Sequence, residues 1–226
     1  MSARDLIFGS IRRSLGVSGK EAPRRKTVGD RLAQHPAGLV PARGQLAAKE
    51  RLALFRTMVE AASGSIDEIA DVADVPSAIA AFLRAHNLPM AVRRGGDPRL
   101  AALPWERERT LEVSVGRSDG KDVVAVSHAF GAVAESGTLM LVSGPDNPTT
   151  LNFLPDTHVV VLDAKDVAGD YETLWQRLRE KFGDRLMPRT VNLITGPSRS
   201  ADIEQTLILG AHGPRRLHVM VVGKSE

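Results

Sequence analysis

Apolar positions change their period twice along this chain. Leu6, Ile7, Ile11 and Leu15 recur at helical spacing, which predicts a short amphipathic helix over residues 3–15, ended by Gly16. A helix of that length is marginal in isolation and needs a surface to dock on, in its own domain or on a partner. Residues 16–45 lose the periodicity and carry Gly16, Gly19, Pro23, Gly29, Pro36, Gly38, Pro41 and Gly44, the pattern of an extended linker. Helical spacing returns from about Leu46 to Ala62, where Leu52, Phe55, Met58 and Val59 share a stripe. A further helix starts at Pro76, carries Ile79, Phe82 and Leu83, and stops near Asn87-Leu88-Pro89.

From there short apolar runs predict strands at 90–92, 123–126, 138–142, 159–162, 191–194 and 217–222. Helices are expected over 167–181, with Tyr171, Leu174, Trp175 and Leu178 on one face, and over 201–209. A run such as Val159-Val160-Val161-Leu162 is apolar on both faces, so both faces need cover. That is the mark of an α/β fold with a mostly parallel sheet between helices. The expected organisation is an N-terminal helix and flexible basic linker over 1–45, then one α/β domain over 46–226.

Composition sharpens this picture at three points. The 226 residues include no Cys, which excludes disulfides, thiolate metal sites, Cys-ligated clusters and a Cys nucleophile in this chain. Aromatic residues make up only 4%, so Leu, Ile, Val and Ala must build the core. The charge of +3 is unevenly placed, because residues 1–43 hold nine of the 30 basic groups but three of the 27 acidic ones. The body is therefore net acidic, and the basic arm offers only Phe8 for stacking on a base, which argues against nucleic acid. The apolar run at the N-terminus is too short for a secretory core, and no stretch approaches the twenty or so apolar residues of a membrane helix, so a cytoplasmic protein without a membrane span is expected.

Candidate chemistry concentrates in the last forty residues. A strand at 191–194 runs into Thr195-Gly196-Pro197-Ser198-Arg199-Ser200, and this turn is expected to open a helix capped by Ser198 or Ser200. Such turns at the carboxyl edge of a parallel sheet are where α/β proteins bind ligands. Backbone N–H groups there favour anions, and Arg199 adds a bidentate donor for carboxylate or phosphate. The structural alternative is a plain helix cap, with Arg199 paired to Asp202 or Glu204 in the first turn. The spacings of a Walker loop or dinucleotide fingerprint are missing.

Thr195-Gly196-Pro197-Ser198-Arg199-Ser200-Ala201-Asp202-Ile203-Glu204, followed by Leu209-Gly210-Ala211-His212-Gly213-Pro214, closely resembles the signature of the LUD domain in lactate-utilisation proteins of the LutC/YkgG type. Upstream, Ala134-Glu135-Ser136-Gly137-Thr138 continues the match. The resemblance implies a three-layer α/β/α fold similar to the ribose-phosphate isomerase and CoA-transferase superfamily. It also implies a part in oxidising L-lactate to pyruvate beside partner proteins that carry iron–sulfur clusters, which agrees with the absence of Cys here.

Glu135 precedes a glycine turn and a strand, and the stretch is similar to the loop that presents the glutamate nucleophile of CoA transferases. A turn carboxylate bonded to nearby N–H groups is the bland alternative. His212, between Gly210 and Gly213-Pro214, is the histidine best placed to face the same cleft. His128 follows a predicted strand end, His158 and His218 sit at strand positions, and His35 and His86 read as solvated. No histidine pair has metal-ligand spacing, so no metal or cofactor is expected in this chain. The candidate site thus comprises Glu135 and His212 for chemistry, with Gly137, Thr138, Gly196, Ser198, Arg199, Ser200, Asp202 and Glu204 for a small anion. The alternatives are an independent acyl or CoA transferase using Glu135, and a scaffold whose arm recruits partners or a second copy of the chain.

Overall fold

In the computed structural model the described residues are 2–183, 186–200 and 208–223. The chain divides into two compact units, Met1–Leu39 and Val40–Glu226. In the first, α1 (Ala3–Leu15) begins at a capping box in which Ser2 and Asp5 satisfy each other's backbone N–H, and it ends at Gly16 in the left-handed conformation. A second helix, α2 (Ala22–Gln34), takes up 13 residues in the middle of the expected extended linker. Pro23 sits in the first turn, where a missing N–H costs nothing, and Lys26 and Asp30 pair at 2.7 Å one turn apart. The breakers cluster at its flanks, and only Gly29 lies inside, a cost near 1 kcal/mol that one helix can carry.

The second unit contains α3 (Ala48–Ala61), β1 (Ser65–Ile69), α4 (Val75–Ala85), β2 (Ala91–Arg94), α5 (Pro98–Ala101), β3 (Glu112–Val115) and β4 (Val124–His128). There follow β5 (Gly131–Val133), β6 (Thr138–Val142), α6 (Thr150–Phe153), β7 (Thr157–Asp163), β8 (Val167–Ala168) and α7 (Tyr171–Phe182). The last strands are β9 (Val191–Thr195), β10 (Arg199–Ser200), β11 (Ile208–Leu209) and β12 (Arg216–Val222). Six strands form one wholly parallel sheet in the order β1-β12-β7-β4-β2-β3.

Alternation along the central strands explains the layers. In β7, Val159 and Val161 point to one face, where they pack with Ile79, Phe82 and Leu83 of α4. Val160 and Leu162 point to the other, against Leu52, Phe55 and Val59 of α3. This is the three-layer α/β arrangement with a mostly parallel sheet expected from the sequence. A second sheet, β8-β5-β6-β9, lies between the α3 face and α7. Its Leu139 and Leu141 join the α3 core, while Val133, Met140 and Ala168 pack on Leu174 and Leu178 of α7.

Two expected elements differ. The helix expected from residue 167 starts at Tyr171, because the Asp170 carboxylate caps it by accepting from the Thr173 N–H at 2.8 Å, and Val167–Ala168 pair with β5 instead. The strand at 191–194 is not in the parallel sheet. It runs antiparallel to β6, with Thr138 opposite Thr195. Among the described residues no helix is long and apolar enough to cross a membrane.

Candidate functional site

The Gly196 turn follows an antiparallel strand, so it does not lie at the carboxyl edge of the parallel sheet. It borders a cavity of about 250 Å³ lined by Thr195, Gly196, Ser198, Arg199 and His212, with His158 and Leu217, from the first residues of β7 and β12, below. The cavity therefore sits at the amino edge of the parallel strands. Gly196 has φ +69°, and a Cβ there would overlap the Ala62 carbonyl at the end of α3. Only glycine lets the turn approach that helix end.

Arg199 uses its Nη2 to donate to the same Ala62 carbonyl, placing a cation at a helix C-terminus. Its backbone and that of Ser200 pair with Ile208–Leu209 as an antiparallel ribbon. The turn thus enters a strand rather than a helix cap. Of the helix expected over 201–209, residues 201–207, with Asp202 and Glu204, lie outside the described residues, and the last two are in β11. Ser198 joins the halves of the signature. Its N–H donates to the Pro214 carbonyl at 2.8 Å, its carbonyl accepts from Gly210 N–H at 2.9 Å, and its hydroxyl accepts from His212 N–H at 3.4 Å. Ser198, not a helix, holds the pocket in shape.

Below the cavity His158 is wholly buried, and its Nε2 is 2.9 Å from the Ser127 hydroxyl, which itself reaches Asn152 Oδ1 at 3.4 Å. Burial pushes the His158 pKa down to about 3, so the ring is neutral.

Glu135 does not line this cavity. It occupies the turn between β5 and β6, 5% exposed, with its N–H donating to the Gly169 carbonyl at 3.1 Å and its carboxylate 3.9 Å from Arg43 Nε. Its Oε2 is buried without a hydrogen-bond partner among the described residues. A chain of hydroxyls connects this turn to the cavity wall. Ser136 and Thr138 both reach the Tyr171 hydroxyl, at 2.9 and 2.8 Å, and Thr138 reaches Thr195 Oγ1 at 2.7 Å. Gly137, with φ +66°, lets the turn lie against the backbone of Met58 and Val59 in α3. The structure thus joins Thr138, Gly196, Ser198, Arg199 and His212 around one feature and leaves Glu135 beside it, under Arg43.

The LUD domain model matches residues 52–222. The chain belongs to the LUD domain family. An uncharacterized protein of Neisseria meningitidis serogroup B is 40% identical over 140 residues, 60% of this chain and 59% of that protein. Lactate utilization protein C of Geobacillus thermodenitrificans is 34% identical over 127 residues, 52% of this chain and 53% of that protein. The matched stretch spans between half and three-fifths of these curated relatives. A DUF162 family protein from Deinococcus radiodurans shares the fold, with TM-score 0.58, 22% identity, and coverage of 79% of this chain and 99% of that one. Within this LUD domain the matched region contains both sheets and the whole Gly196 cavity.

Sequence reasoning passed over one further polar cluster of the LUD domain, at the carboxyl ends of β2 and β4. There Asp97 is buried and bound by Arg99 through Nε at 3.0 Å and Nη2 at 2.8 Å. Burial alone would raise its pKa, but the Arg99 hydrogen bonds outweigh that and hold it at about 2. The available signal was Gly95-Gly96-Asp97-Pro98, a strand end running into a helix with proline in its first turn.

Proposed function

We propose that this chain is a component of L-lactate utilization, acting with iron–sulfur partner proteins that conduct the electrons, and that the Gly196 cavity receives a small anion. The observation that carries the pocket reading is that both halves of the signature, 195–200 and 209–214, converge on one cavity through Ser198. Relatives named lactate utilization protein C support the pathway. In this reading Arg199 swings between the Ala62 carbonyl and the anion, His212 orients the ligand, and Gly137, Thr138 and Ser200 keep the cavity wall in place. Asp202 and Glu204 retain the ligand-binding role proposed from the signature.

The test has two arms. A host that carries this gene should fail to grow on L-lactate as sole carbon source when it is deleted, and affinity capture of the chain should retrieve iron-bearing proteins. Arg199→Ala should weaken the anion roughly ten- to a hundredfold, the worth of one charge-assisted hydrogen bond, with little change in Tm because the side chain is exposed. Normal growth would refute the pathway, and unchanged affinity with a lowered Tm would refute the pocket. A second reading, acyl transfer through Glu135, draws on its unpartnered Oε2. It requires the covering segment around Arg43 to open, and an acyl adduct on Glu135 after incubation with an acyl-CoA would establish it.

A further inference from the structure

The connections of the parallel sheet diverge between β2 and β4. From β2 the chain goes outward to β3, and from β4 it goes the other way to β7. Open α/β sheets have their crevice at the carboxyl ends of such a pair. Here that place holds a cavity of about 120 Å³ bordered by Arg99, His128, Phe130, Ser143, Asn147 and Lys181, with Asp146 on its rim.

Each wall is fixed by contacts that leave a defined chemical face. His128 is the last residue of β4 and is buried. Its Nδ1 lies 2.9 Å from the Ala129 carbonyl, which can only accept, so Nδ1 carries the proton and Nε2 presents a lone pair. Burial, and after it the Arg99 charge, lower the pKa of His128, which keeps the ring neutral. Asp163 Oδ2 stands 3.8 Å from Nε2, beyond hydrogen-bond range, and an ionised carboxylate only accepts, so the lone pair stays open to a donor. Across the cavity the Lys181 ammonium is held over Phe130 at 5.4 Å and Phe182 at 5.9 Å. The Ser143 hydroxyl accepts from Thr190 N–H at 2.9 Å, which leaves its own proton to donate. The loop carrying Ser143 and Asn147 is seated by Gly95, where any Cβ would overlap the Asp146 carbonyl, and by Asn147 donating to Asp97 at 3.3 Å. Arg99, neutralised by Asp97, shapes the wall.

A hydrogen-bond acceptor on one wall faces a cation and a hydroxyl donor on the other. We infer that this cavity is a second binding site, specific for a small α-hydroxycarboxylate whose hydroxyl donates to His128 Nε2 and whose carboxylate meets Lys181 and Ser143. The choice of L-lactate as the acid rests on the pathway reading above, while the site rests on the geometry.

The test titrates L-lactate, propionate as the isostere without the hydroxyl, and inorganic phosphate into the full chain by calorimetry. L-lactate should bind about tenfold more tightly than propionate, the worth of one hydrogen bond to a buried acceptor. Lys181→Met, a change at the cavity wall outside the core, should weaken L-lactate at least tenfold, as should His128→Gln. Lys121→Met, the same change at an exposed lysine outside both cavities, should leave L-lactate affinity unchanged. Equal binding of L-lactate and propionate, no L-lactate binding to the wild type, or loss on Arg199→Ala without loss on Lys181→Met would each overturn the site. Growth on L-lactate separates the two claims. A chain that binds L-lactate here yet is dispensable for growth refutes the pathway and leaves the site standing, and a chain needed for growth that ignores L-lactate does the reverse.

Discussion

Two buried histidines should make this domain lose stability in mild acid, well above the pH at which its carboxylates titrate. His158 is inaccessible, and burial pushes its pKa down to about 3. His218 is 2% exposed, stacked on Phe82 at 4.1 Å, with Nδ1 2.8 Å from the Ser65 hydroxyl. Burial lowers its pKa to about 4, against the pull of Asp67 and with the help of His86. In the unfolded chain both rings titrate near 6.5. Between about 6.5 and 4 the unfolded state therefore binds two protons that the folded state does not, so stability falls as pH falls through this window and is fully present above it. Each pH unit costs about 1.4 kcal/mol per histidine. At pH 5 the loss is about 2 kcal/mol each and about 4 kcal/mol together, a large part of an ordinary domain's 5–15 kcal/mol.

The carboxylate best held, Asp97, has its pKa depressed to about 2, so its contribution is lost only between about pH 4 and 2 and does not contaminate the reading at pH 5. Urea unfolding followed by circular dichroism at pH 7.5, 6 and 5 measures the slope. His158→Gln and His218→Gln remove one titrating ring each, and each should reduce the slope by about a third to a half, the rest staying with the other ring and with His128, whose pKa burial also lowers, whatever it does to stability at pH 7.5. A wild type equally stable at pH 7.5 and 5, or a double variant as acid-sensitive as the wild type, would show that these rings do not control the transition.

Two other perturbations have definite outcomes. Gly169→Ala should lower Tm markedly, because its Cβ would overlap the Gly44 carbonyl, and cost of the order seen for overpacking, about 1–3 kcal/mol or more; an unchanged Tm would mean that the segment around Gly44 yields freely. Deleting residues 1–39 should leave the Tm of the remaining LUD domain within about 2 °C, whereas deleting 1–45 should lower it by removing Gly44 from Gly169; equal Tm values for the two truncations would favour the boundary at 45.

Much of the fold was legible where the signal is local. The stripes Leu52-Phe55-Val59 and Ile79-Phe82-Leu83 gave α3 and α4, and the uninterrupted apolar run in β7 gave the buried parallel sheet. What was missed depends on pairing at long range. The β1 strand reads Ser-Ile-Asp-Glu-Ile, with only Ile66 fully buried, because it is an edge strand that meets β12 some 150 residues later. The Gly196 turn was recognisable as a site, but whether it lies at the amino or the carboxyl edge of the sheet depends on β9 pairing with β6, which no local pattern encodes. The helix α2 was missed because glycine and proline at its flanks were given the weight of breakers inside it. The His128 cluster was illegible for a further reason, since its walls come from four separate stretches between residues 99 and 181.

Strand β7 fixes the relation between the two cavities. His158, at its start, forms part of the Gly196 cavity, and Asp163, at its end, stands beside His128. Five residue steps at about 3.3 Å put these positions about 16 Å apart. A three-carbon acid cannot span that distance, so one small ligand cannot use both sites. At this separation, beyond the 7–10 Å within which substitutions couple, changes at the two ends of the strand act independently unless the strand itself moves. The strand is poorly suited to move, because Val159 to Leu162 are buried on both faces and its neighbours β4 and β12 hold it in register along its length. Loss of L-lactate affinity on one substitution but not the other therefore assigns the acid to one end of β7 directly.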